Sequence, residues 1–190
     1  MTHTNFRQVL KAETWADHER VDGLISTLDL STFEDFVRFL TIHQGCFDSI
    51  RGLMPKGSAA WRALDDMVRG IETDLNTLGA SAPVPALPNL RTPDALAVDY
   101  VIEGSRLGSK VLRRRWMAAS DPRVRKADAY FSLPPVPGRW RDVCDQLSAI
   151  SVPSERAGRI VHDTRMLFSL FYTAASETAA HQHRSVELAS

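Results

Sequence analysis

Between Ser31 and Arg51 the residues Phe36, Phe39, Leu40, His43, Phe47 and Ile50 recur at steps of three and four. That is the period of one helix face, whereas a half-buried strand would alternate at every second residue. Ser31-Thr32-Phe33-Glu34 reads as a capping box, so a helix is expected from about 32 to 51. Earlier in the chain Phe6, Val9, Leu10, Thr14, His18 and Val21 predict a helix that starts near Thr4 and bends around residue 16. A third helix is expected from about Ser58 to Leu78, stopped by Gly79.

The stretch ASAPVPALPNLR, residues 80–91, holds three of the ten prolines and must be a loop, because each proline removes a helix donor. Thr92-Pro93-Asp94 then predicts a helix start, with the threonine hydroxyl as cap and proline in the first helical position. This helix should run to about Met117. A shorter one is expected over 121–131, another over 139–150, and a last one from Pro153-Ser154-Glu155 to about Glu177, ahead of a polar tail at 181–190. No segment of useful length alternates as a strand does. The expected fold is all-α, a compact single-domain multi-helix bundle, and 190 residues suffice for a core without staples.

With 23 basic and 23 acidic side chains the chain has no electrostatic bias, which argues against a nucleic-acid partner. Its apolar runs are short and its N-terminus is charged, so no membrane association and a cytoplasmic location are expected. Cys46 and Cys144 have no metal-ligand spacing and read as reduced, incidental thiols. There is no GxGxxG or GxxxxGK[ST] loop and no flavin or iron–sulfur motif.

The segment EGSRLGS, residues 103–109, goes against its surroundings. Gly104 and Gly108 lie inside a predicted helix, where each costs roughly 1 kcal/mol relative to alanine. Four residues apart, they sit one above the other, and with Ser105 and Ser109 they leave a strip of nearly bare backbone. Either another helix packs closely there, or a ligand approaches the backbone. A partner for such a ligand is His18, with Asp22 one turn later on the same face, placed to accept a hydrogen bond from one imidazole nitrogen. One imidazole opposed by bare backbone suits a planar metal-containing ligand.

These residues resemble the haem oxygenases. YVIEGSRLG, residues 100–108, is similar to the bacterial form of that family's distal helix, and LKAETWADHERVD, residues 10–22, is similar to its proximal helix. The resemblance implies the family's helical fold, with haem between the two helices. It makes His18 the axial ligand of the haem iron, Asp22 its partner, and Gly104, Ser105 and Gly108 the distal wall. Lys11 and Tyr100 would hold the haem propionates. The implied activity opens haem, which is both substrate and prosthetic group, with O₂ and electrons to biliverdin, CO and ferrous iron.

Electrons would come from a ferredoxin, a flavoprotein reductase or ascorbate. The basic cluster Arg113, Arg114 and Arg115 is a docking candidate for a protein donor, against the plainer reading of a solvated helix end. A bilin-accepting phytochrome is a further implied partner.

Two positions depart from the family pattern. Arg106 stands where many bacterial members have asparagine, and Ser109 replaces a small apolar residue. An arginine pointing into the pocket would change its hydrogen bonding, so a haem carrier or sensor without ring-opening activity is the alternative. His162, Asp163 and Arg165 in the last helix also stand where the family usually has small or apolar residues; His162 reads as structural.

Overall fold

The structure is a computed structural model that describes residues 5–80 and 87–187, with side chains as far as Thr178. Residues 81–86 of the proline-rich stretch, Thr4 and residues 188–190 lie outside the described part. Among the described residues there are seven helices and no strands: α1 (Phe6–Ser26), α2 (Phe33–Arg51), α3 (Ala59–Leu78), α4 (Ala95–Met117), α5 (Pro122–Lys126), α6 (Arg139–Ser148) and α7 (Glu155–Glu187). The all-α expectation holds, and no described helix is long and apolar enough to cross a membrane.

The centre of the bundle is α2. Its side chains Phe36, Phe39, Leu40, Phe47 and Ile50 are almost wholly buried, packed between α3 on one side and α7 on the other. Each large apolar side chain removed from water contributes roughly 1.5–3 kcal/mol, so this stripe anchors the rest. In turn α7 receives α1 and α4, and α6 braces the outer side of α4. α1 and α4 barely touch each other.

Several boundaries shift from the sequence expectation for local reasons. Thr32, not Ser31, caps α2, because the Ser31 hydroxyl bonds the Asp29 carboxylate at 2.7 Å. Asp94 caps α4 through Leu96 N at 2.9 Å, while its own N–H donates to Asp163 at 2.8 Å. Thr92 is therefore outside the helix. α1 is one continuous helix, and Gly79 ends α3 with φ +62°, as its position predicts.

The segment expected as a helix over 121–131 stops at Lys126. Beyond it, the N–H groups of Ala129 and Tyr130 donate to the buried Asp74 carboxylate at 2.8 and 2.9 Å, which replaces helical bonding. Gly70 permits that approach: a Cβ there would lie 3.2 Å from the Tyr130 Cα. The last helix continues ten residues past Glu177, since no glycine or proline follows Gly158 to stop it.

Candidate functional site

α1 and α4 run in parallel. Tyr100, near the start of α4, faces Thr14 and Arg7, whereas Arg115, near its end, donates to the carbonyl of Ser26 at 3.0 Å and to that of Leu28. Between the two helices lies a cavity of about 650 Å³, floored by α2 and α7. That is within the size range of small-molecule and cofactor sites.

Every residue singled out from the sequence as a binding or catalytic candidate lines this cavity: Lys11, His18 and Asp22 from α1, and Tyr100, Gly104, Ser105 and Gly108 from α4. The glycines resolve one of the two alternatives. A Cβ on Gly108 would meet nothing within 4 Å, and one on Gly104 would meet only the Trp140 indole at an ordinary 3.8 Å. No neighbouring helix requires them to be bare, and Gly108 faces open space.

The His18 imidazole is held by aromatic packing. Trp15 stacks beside it at 5.7 Å with the planes 20° apart, and Phe168 meets it edge-on at 5.5 Å. Its Nδ1 is buried and has no hydrogen-bond partner, so the side chain's 43% exposure falls on its other atoms. The Asp22 carboxylate stands 3.5 Å from Nδ1, which is long for a hydrogen bond. The expected bond is thus approached and not closed.

The polar groups gather toward one end. Arg7 and Lys11 lie one turn apart on α1, beside Tyr100, whose hydroxyl is held in its protonated form by burial. Lys11 also lies 5.3 Å over the Trp15 ring. The Ser105 and Ser109 hydroxyls donate back to the carbonyls of Ile102 and Arg106, so they add no free donor to the cavity.

Arg106 does not line the cavity. It turns to the back of α4, donates to the Pro134 carbonyl at 3.1 Å, and opposes the buried Glu103, whose carboxyl is pushed up by desolvation. Arg165 is a tie between helices, donating to the Glu13 carbonyl at 2.7 Å, and His162 lies outside beside Arg91. Arg113 and Arg114 are exposed, while Arg115 is engaged with the end of α1.

Arg7 and His43 are polar cavity residues that the sequence alone did not single out. Arg7 was overlooked although it precedes Lys11 by four residues on the same face. His43 was counted with the core face of α2, where Phe39 and Phe47 surround it in sequence. In the structure its ring packs on Phe39 at 4.1 Å and on Phe171 at 5.7 Å, and one side borders the cavity. Desolvation lowers its pKa to about 4.

No protein-family model matches the chain, and no curated protein is found to be similar to it.

The His43 environment has a measurable consequence. Below pH 6.5 the unfolded chain binds a proton at this residue that the native protein refuses until about pH 4. Stability from this group is therefore complete above pH 6.5 and falls as pH drops, by about 1.4 kcal/mol per unit and roughly 3 kcal/mol in all. Urea unfolding at pH 7 and pH 4.5 should show a smaller acid loss in His43→Phe than in the native sequence. An equal loss in both would contradict the buried neutral imidazole.

Proposed function

We propose that the chain is a haem oxygenase, opening haem with O₂ and electrons to biliverdin, CO and ferrous iron. The observation that carries this reading is the cavity itself: a single imidazole on one long wall, and bare helix backbone with open space in front of it on the other. The resemblance of residues 10–22 and 100–108 to the family's two haem-flanking helices supports it.

The donor set points the same way. Among the described residues no group of three His, Cys, Asp or Glu side chains is placed to hold a bare metal ion. A lone imidazole binds iron firmly when a macrocycle supplies the remaining ligands. With Nδ1 of His18 closed off, Nε2 is the nitrogen left for that bond. Haem, when bound, supplies the iron and the conjugated ring on which the redox chemistry takes place.

The chain's own groups have separate tasks. Arg7, Lys11 and the protonated Tyr100 form a cluster of donors suited to two carboxylates at one end. Phe168 and Phe171 line the floor with apolar surface. Gly104 and Gly108 keep the opposite wall thin, which would leave room beside it for haem and a small molecule. The turned-back Arg106 leaves this wall uncharged.

Electrons come from a ferredoxin, a flavoprotein reductase or ascorbate. Arg113 and Arg114, exposed in the last two turns of α4, suit an acidic protein donor; Arg115 is left out, being bonded to the end of α1.

A haemin titration of the purified protein and of His18→Ala, followed by ascorbate in air with catalase present, tests the reading. The expected result is a stoichiometric Soret band that depends on His18 and gives way to a biliverdin spectrum. No band, or one indifferent to His18, would refute it; a dependent band that survives a competent reductase would make the chain a haem carrier or sensor. Neutralising Arg113 and Arg114 should slow reductase-driven turnover and spare ascorbate-driven turnover, and equal effects on both would remove the docking role.

A further inference from the structure

A second imidazole faces the cavity. His43 rises from α2 on the floor, away from the α1 wall that carries His18. Its Nδ1 lies 2.8 Å from the Phe39 carbonyl. A carbonyl only accepts, so Nδ1 carries the hydrogen and Nε2 is left with a lone pair. Among the described residues no group donates to Nε2, and it is not one of the buried polar atoms left without a partner, so it opens onto the cavity.

The ring is fixed in this pose. Phe39, Phe47, Tyr130 and Phe171 surround it with centroids 4.1 to 6.2 Å away. Of these rings Phe171 also lines the cavity, so His43 sits where α2 and α7 meet on the floor. Packing alone would be served better by a phenyl ring, since burying an imidazole carries a desolvation penalty that a phenyl lacks. Burial also keeps this imidazole uncharged at neutral pH, so Nε2 accepts and does not donate.

We propose that His43 is a positioning residue of the haem site: its Nε2 accepts one hydrogen of a water in the cavity and thereby aims the other hydrogen at whatever small molecule binds the iron. The inference rests on the haem reading of the cavity. Water is the chemistry that fits, because O₂ and CO offer no hydrogen to an acceptor, and a bridging water converts an acceptor into a donor. The site has one fixed polar partner from the protein and a second from the ligand, the minimum that retains a water.

The test uses the haemin-loaded protein, reduced without O₂ and exposed to CO as a probe, with the C–O stretch recorded in H₂O and D₂O. A hydrogen aimed at the CO oxygen lowers that frequency. The native protein should show a lowered, deuterium-sensitive band; His43→Phe should shift it upward and lose the deuterium effect. His43→Gln, which restores an acceptor, should return toward the native band, and all three should bind haemin comparably.

An unchanged band in His43→Phe would overturn the water-holding role while leaving the haem reading intact. A six-coordinate low-spin ferric spectrum of the bis-imidazole type that is lost in His43→Phe would overturn it differently, by making His43 an iron ligand. Failure of the native protein to bind haemin would remove the haem reading and this inference together.

Discussion

The cavity exists because α1 and α4 are held by side-chain braces from each other and from α7 instead of packed against each other along their length. Arg115 reaches from α4 to the carbonyls that close α1, Arg165 of α7 holds the Glu13 carbonyl in the middle of α1, and Asp163 of α7 holds the N–H of Asp94 and the side chain of Arg91 at the start of α4. The Arg115 and Asp163 braces satisfy backbone groups that helix ends or loops otherwise leave open, which binds them more firmly than an exposed ion pair. Without them the apolar lining would favour collapse of the two helices onto each other. The α7 helix is therefore both floor and spacer.

Against that frame the back of α4 carries the charge. Asp99 pairs with Arg139, and Glu103 sits buried between Arg106 and Arg139, all on the side of α6 and the loop before it. The cavity side of the same helix is left to Tyr100, small residues and exposed Leu107 and Val111. This division means that α4 can be anchored strongly on one face while its other face stays bare.

Much of this was readable from residue spacing. The aromatic stripe of α2, the stop at Gly79 and the pairing of His18 with the two glycines follow from helical period and from the conformational cost of glycine. What was not readable depends on distant partners. Asp94 rather than Thr92 caps α4 because Asp163, 69 positions away, fixes its N–H; the helix expected to 131 ends early because Asp74 on α3 captures its amides. Arg106 could point either way on periodicity, and only the Pro134 carbonyl decides it. His43 looked like core because helical spacing does not distinguish a side chain facing protein from one facing a cavity.

The central claim is that Gly104 and Gly108 are kept bare for a ligand and not for the fold. Thermal and urea unfolding of the Gly104→Ala/Gly108→Ala double variant, with and without haemin, measures both halves of that claim. Open space at Gly108 and an ordinary 3.8 Å contact with Trp140 at Gly104 predict a ligand-free variant more stable than the native protein by about 1–2 kcal/mol, and one that haemin stabilises less. A variant destabilised without ligand, or one that haemin stabilises as much as the native protein, would contradict it.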